Sequence, residues 1–189
     1  MHSLQADVEG NPAAAAYAAL TASSKLHHLN ICGCTLAAGA WQHMFAAGGQ
    51  LPHLRSVCID SVMEASGGYV PAPPGSRLVS CCPGLQSLDM QYLQYSVELL
   101  APLQLLSRLQ ELRLAAQASG GSAEGFKAVY PKVLCKFTQL RALTLLCPPC
   151  CSDQVLMHLT TLQHLASLLY GGQLSGGVYA LMVLQAQVG

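Results

Sequence analysis

Charge is scarce in this chain. Only 10% of its 189 residues are Asp, Glu, Lys or Arg, against roughly 25% in an ordinary soluble domain. Nine basic and nine acidic residues cancel. With no basic stripe to neutralise phosphates, nucleic acid is not expected as a partner. Long hydrophobic runs are missing too. The longest are the alanine-rich "PAAAAYAAL" (12–20) and the seven residues of "VYALMVL" (178–184). A membrane-crossing helix needs roughly 20 apolar residues, so no membrane partner is expected. The opening "MHSLQADVEG" has neither the basic run nor the apolar core of a secretory signal. These features predict an intracellular, cytoplasmic protein whose nine cysteines stay reduced. An odd count also argues against a closed disulfide framework.

What is abundant is apolar. The chain is 52% hydrophobic, which implies a large buried fraction or apolar surface that something else covers. The leucines are ordered. In "LHHLNICGCTL" (26–36), Leu26, Leu29, Ile31, Cys34 and Leu36 fall on L-x-x-L-x-L-x-x-[NC]-x-L. The start of this pattern returns as "LRSVCIDSV" (54–62), "LQSLDMQYL" (85–93), "LQELRLAAQ" (109–117) and "LRALTLLCP" (140–148). A last copy, "LQHLASLLY" (162–170), has Ser167 at the third apolar place. First leucines at 26, 54, 85, 109, 140 and 162 are separated by 28, 31, 24, 31 and 22 residues. One such match is common in a leucine-rich chain; six at near-regular spacing are not.

The fourth and sixth places of each copy alternate with polar ones, the period of a short strand. Each strand then needs a return segment to cover its inner face. "PAAAAYAALTASS" (12–24), "GAWQHMFAAG" (39–48), "SVELLAPLQLLS" (96–107) and "SDQVLMHLTT" (152–161) read as helices. Ser96 and Ser152 are placed as N-caps, with Glu98 and Asp153 in the first turns. Trp41, Met44 and Phe45 share one helical face, which predicts core packing. "EASGGYVPAPPGS" (64–76) and "AAQASGGSAEG" (115–125) read as loops that lengthen two of the steps.

Over residues 26–170 the chain resembles the leucine-rich-repeat family, an α/β solenoid with one short strand and one helix per repeat and a curved parallel sheet. The flanks divide off as an alanine-rich helical segment (1–25) and an apolar tail (171–189), the latter a helical cap or a truncated repeat. The resemblance implies non-catalytic protein binding on the concave sheet face, by a monomer or by part of a longer array. The places facing out of that sheet follow from the frame. They offer Asn30, Asp60, Asp89, Gln91, Glu111, Arg113 and Leu146, with Tyr92 beside Gln91, as the candidate partner-binding residues. Asp89 and Arg113 hold the same place in neighbouring copies, so strands about 4.8 Å apart would let them pair. The last copy would add His164, Ala166 and Leu168, giving the sheet an apolar C-terminal end.

No enzyme is expected. Asp60, Asp89 and Glu111 fall on a sheet face instead of a cleft, with no nucleophile and base in partnership. No cofactor or metal is expected either. The stretch Cys147-Pro148-Pro149-Cys150-Cys151 invites a zinc or redox reading. Zinc needs four converging ligands, and Cys32 and Cys34 lie four strands away, about 19 Å by strand spacing. The frame instead makes the stretch a repeat corner, with Cys150 as a buried apolar residue. Cys34 at the ninth place and "CCPGLQSLDM" (81–90) resemble the cysteine-containing subclass of these repeats. That subclass is typical of F-box adaptors, which hold substrates for ubiquitin ligases. No F-box-like segment is present in the 25 residues before the first strand. Two expectations stand: an interaction module of a cytoplasmic, cytoskeletal or ciliary axonemal assembly, or the substrate-reading part of a ligase adaptor.

Overall fold

The structure, a computed structural model, describes residues 3–5, 17–23, 25–64, 73–91, 97–115, 132–146, 159, 162–173 and 179–185. It is α/β, with a mostly parallel sheet and few, short helices. The sheet holds eight strands: β1 (Ser3–Gln5), β2 (His28–Cys32), β4 (Ser56–Asp60), β6 (Ser87–Gln91), β7 (Glu111–Ala115), β8 (Ala142–Leu146), β9 (Ser167–Gln173) and β10 (Tyr179–Gln185). They lie side by side in chain order. Seven run parallel, and β10 returns antiparallel along β9. A second, two-stranded sheet pairs β3 (Thr35–Leu36) with β5 (Met63–Glu64). Four described helices complete the fold: α1 (Tyr17–Leu20), α2 (Ala40–Met44), α3 (Gly75–Cys81) and α4 (Val97–Leu103). Among the described residues, no helix is long and apolar enough to cross a membrane.

The register follows the leucine frame. Leu29, Val57, Leu88, Leu112 and Leu143 pair strand to strand, and so do Ile31, Ile59, Met90, Leu114 and Leu145. All ten are buried. Places between them are partly exposed, as period-2 strands require. The first-place leucines 26, 54, 85, 109 and 140 are buried behind the strands. No charged or polar side chain joins this core among the described residues.

Two local devices repeat. Before β4, β6, β7 and β8, a buried residue three places ahead of the first leucine closes a turn: Leu51, Cys82, Leu106 and Phe137 each accept from the first-place amide at 3.0–3.1 Å. The second-place carbonyl then accepts two amides from the next copy, as His27 does from Arg55 and Ser56 at 2.8 and 3.2 Å. The eighth place ends the strand in two copies, where Gly33 and Ser61 adopt φ of 61° and 52°. Glycine takes that left-handed turn without strain. The chain then enters β3 and β5, and the ninth-place Cys34 and Val62 are both buried.

These devices correct the last copy. Leu165 donates to Leu162 at 3.2 Å, and Arg141 accepts from Ala166 and Ser167 at 2.8 and 2.9 Å. The first place is therefore Leu165, not Leu162. Leu168 pairs with Leu143 and is buried, where it was expected to face outward. Ser167, Leu169 and Gly171 take the outward places instead, and His164 and Ala166 precede the strand.

The return segments follow expectation in part. α2 buries Ala40, Trp41 and Met44, and Phe45 at its C-cap is fully buried and stacked on Trp41, with ring centroids 6.3 Å apart. The end of this helix is held by its neighbours: Thr21 Oγ1 donates to Met44 O at 2.7 Å, Arg77 Nη1 to Phe45 O at 3.1 Å and Cys81 Sγ to Ala46 O at 3.3 Å. Carbonyls that a helix end leaves open thus find donors in the flanking copies. Two segments differ from the reading. The 64–76 loop gives way at Gly75 to α3, and the expected helical flank 1–25 also carries the strand β1. In the tail, β9 extends to Gln173 and β10 is a strand where a helical cap was one expectation. Ser96, Ser152, Asp153 and the Cys147–Cys151 stretch lie outside the described residues, and so does nearly all of the 152–161 segment.

Candidate functional site

The places between core residues form three rows on the open face of the sheet. The fifth-place row reads Asn30, Cys58, Asp89, Arg113 and Thr144, with strand pairing bringing each beside the next. The seventh-place row reads Cys32, Asp60, Gln91, Ala115 and Leu146. Asp89 sits at the centre. Gln91 Nε2 donates to its Oδ2 at 3.1 Å, and Arg113 Nε stands 3.9 Å from its Oδ1. The expected Asp89–Arg113 pair therefore exists, but at ion-pair range and without a hydrogen bond.

The carboxylate is poorly provided for. Its Oδ1 is shielded from solvent and has no hydrogen-bond partner among the described residues. Burial pushes the Asp89 carboxyl above its ordinary value, the Arg113 guanidinium and the Gln91 amide pull it back, and Asp60 adds a push upward. Arg113 is nearly half exposed, so its attraction is screened. Burial dominates because the balancing groups are a loose cation and a single amide. A carboxyl raised in the folded state costs stability when ionised, and that cost disappears as pH falls and the group protonates. Asp89→Asn should therefore leave the melting temperature at pH 7 unchanged or higher, while keeping the amide contact from Gln91. A clear drop in Tm would show that the charge stabilises the fold.

The other candidates divide. Asp60 lies in register with Gln91 and accepts from Ser61 Oγ at 2.9 Å. Asn30 Oδ1 accepts from the Cys32 thiol at 2.7 Å. Glu111 is exposed on the third-place row, between Ser87 and Ala142. Leu146 is half-buried, in register with Ala115 and Gly171. Tyr92 lies outside the described residues. The structure thus groups Asp60, Asp89, Gln91 and Arg113, sets Asn30 beside the cysteines, two strands from Asp89, and leaves Glu111 and Leu146 on the flanks.

Cys32 and Cys58 also hold outward places of the frame, but are not among the candidate partner-binding residues. Their sulfurs are 4.0 Å apart, and both are free and half-buried. Burial is the main reason both thiols are raised, Cys58 to about 12, and the carboxylates of Asp60 and Asp89 act in the same direction. The signal in the sequence was cysteine at the seventh place of one copy and the fifth of the next. Among the described residues, no three His, Cys, Asp or Glu side chains gather as a metal group. Comparison with protein-family models, curated proteins and solved structures found no match for this chain.

Proposed function

We propose that the chain is a leucine-rich-repeat solenoid that binds a protein partner, without catalysis, on the concave face of its sheet. The repeat reading is supported by one frame that accounts for strand order, register, turn and strand exit in successive copies. The observation that carries the binding reading is Asp89. A half-buried carboxylate with a loose cation and an oxygen that has no hydrogen-bond partner among the described residues is a stability cost on an otherwise consistent sheet. Such local conflicts concentrate where function requires them. A partner that donates hydrogen bonds to Asp89 and accepts from Arg113 relieves the conflict on binding. Half-buried Leu146 supplies apolar contact beside them, in keeping with interfaces whose energy rests on a few desolvated groups. The same surface, with Asp60, Asp89 and Glu111 against Arg113 and no basic stripe, fits neither nucleic acid nor a membrane.

The test is a charge exchange. Asp89→Arg with Arg113→Glu keeps opposite charges in register and should keep the fold. In quantitative proximity labelling with the full-length product, specific captures should be lost from this variant and kept by Leu105→Ala, a control at an exposed leucine (69% accessible). If every capture survives the exchange, the proposed face is not the binding site.

A second reading rests on the cysteines. Cys34 is buried at the ninth place, and Cys82 fills the buried place three ahead of Leu85, as in the cysteine-containing repeats of F-box adaptors. Under it, the same face reads a ubiquitin-ligase substrate. Co-purification of the full-length product with the ligase's F-box-binding subunit supports that role; its absence returns the chain to a cytoplasmic, cytoskeletal or axonemal scaffold.

A further inference from the structure

We infer that the rim of the sheet at the strand starts is a docking surface for an extended acidic segment of a protein partner, held by Lys25, Arg55, Arg108 and Arg141. The stack gathers these cations. Each stands at least 30 residues from the next along the chain, so the sequence shows no basic run. In the repeat frame they flank the buried first leucines. Lys25 and Arg108 immediately precede Leu26 and Leu109, and Arg55 and Arg141 immediately follow Leu54 and Leu140. All four therefore sit just ahead of β2, β4, β7 and β8, at one end of the sheet. Lys25, Arg108 and Arg141 are exposed, and Arg55 is half-buried. Among the described residues the ion pair is Arg113 with Asp89, so none of these four is paired with a carboxylate.

The backbone of this rim offers an anion little opposition. Open carbonyls would repel it. The second-place carbonyls of His27, Arg55, Gln86, Gln110 and Arg141 each accept two amides from the next copy, at 2.8–3.2 Å. The same bonds fix the second-place residues in a row. Arg55 is anchored further, because its Nη1 donates to Gly84 O at 3.0 Å. A Cβ on Gly84 would stand 2.5 Å from that nitrogen, so glycine leaves the guanidinium its place. A guanidinium held through one nitrogen keeps other N–H donors for a carboxylate. The local field is positive. His27 is held below its ordinary pKa by burial first and then by cationic neighbours, His53 foremost and Arg55 among them.

Geometry selects the occupant. From β2 to β8 the rim crosses four strand steps, about 19 Å, which an extended segment of about six residues spans. Gln86 and Gln110, exposed between the cations, offer further amide donors. The occupant must also be narrow. Asp60, Asp89 and Glu111 lie on the adjoining open face, where they repel any polyanion wide enough to overlap it. A nucleic-acid duplex is that wide. Single-stranded nucleic acid binds on aromatic platforms, and the places on either side of the first leucines hold no Phe, Tyr or Trp. An extended polypeptide meets both limits, since it sets alternate Asp or Glu side chains along one side. The rim is separate from Asp89, so this surface stands whether or not the open face binds a protein.

The test is fluorescence anisotropy of a labelled hexaglutamate peptide at low ionic strength, titrated with the full chain. The wild-type chain should bind it, and added salt should weaken the complex. Arg108→Glu/Arg141→Glu should weaken binding by about tenfold or more. Lys132→Glu/Lys136→Glu makes an equal charge change at exposed lysines of the return segment ahead of β8, and should weaken it far less. If the rim variant fails to fold by circular dichroism, Arg108→Gln/Arg141→Gln takes its place, with a loss of binding still expected. No binding by the wild-type chain overturns the inference. So does an equal loss in the rim and lysine variants, which reports net charge alone. A labelled oligothymidylate bound as tightly as hexaglutamate overturns it too, in favour of single-stranded nucleic acid.

Discussion

Leu112→Ala is expected to lower unfolding stability by about 2–5 kcal/mol, with the cost in the upper half of that range. Leu112 is 1% exposed and occupies the middle of a buried row, with Leu88 on one side and Leu143 on the other. Losing three carbons removes their transfer free energy, and the surroundings decide how much of the cavity remains. Collapse is restricted here. β7 is hydrogen-bonded on both edges, and ladder spacing fixes adjacent strands about 4.8 Å apart. The leucines on either side cannot close the gap without breaking that register. In a chain of this length each 1 kcal/mol moves Tm by roughly 2–4 °C, so the loss is large in a thermal melt. Leu105→Ala supplies the contrast, since an exposed leucine should change stability by no more than about 0.5 kcal/mol. A Leu112→Ala loss as small as that would place Leu112 outside the core and undo the leucine frame.

That frame was the legible part of the fold, and the reason is physical. A strand covered on one face repeats with period 2, and a stack repeats at the length of its unit, so both periods survive in the sequence. The last copy escaped because Leu162 and Leu165 are three apart, the same spacing as the first and fourth places of a repeat. What separates the two alternatives is backbone hydrogen bonding at Arg141, which leaves no mark on residue type. A weaker clue was present: Leu51, Cys82, Leu106 and Phe137 all stand three before a first leucine, and so does Leu162. β10 was hidden for another reason. A seven-residue apolar run has no polar alternation, and periodicity alone does not separate a strand from a helix there.

The site was legible in proportion to its dependence on register. Asp89 and Arg113 share a place in adjacent copies, so the frame that paired their strands also paired them. The quality of that pair was not legible. A distance of 3.9 Å and a shielded oxygen depend on how Gln91 and the strand twist orient two side chains. Cys32 and Cys58 were overlooked because they hold different places. Attention to identical places sees along a row and misses the diagonal, where long or polarisable side chains also meet. The search for four zinc ligands around the 147–151 cysteines asked for convergence, and a pair was the arrangement on the sheet.

Gly75→Ala should destabilise the chain by about 1–3 kcal/mol or more, although alanine is the better helix former. Two effects oppose each other. Replacing glycine inside a helix ordinarily gains roughly 0.8–1.0 kcal/mol. Gly75 opens α3 after Pro74, at the first helical position, where some of that gain applies. Against it stands a backbone contact. A Cβ built on Gly75 would overlap the Leu99 carbonyl oxygen and lie 2.8 Å from the carbonyl carbon and 3.2 Å from Cα. A flexible side chain would rotate away; a carbonyl held in α4 does not. Relief requires α3 and α4 to separate, which uncovers Leu78, Leu99, Leu100 and Leu103, all at most 2% exposed. The steric cost therefore wins, and Gly75→Val should cost more than Gly75→Ala. The sequence read "PPGS" as loop chemistry, and α3 contains Ser, Val and Cys, none of them strong helix formers. Packing against α4 is what makes the segment helical, so the contact at Gly75 is a condition of the helix instead of a detail of it. α3 lies just ahead of β6, the strand that carries Asp89. A variant that melts earlier but is still folded at the assay temperature should thus keep the captures that the Asp89/Arg113 exchange removes. Stability raised by Gly75→Ala would mean that α3 and α4 do not approach as closely as their backbones are placed.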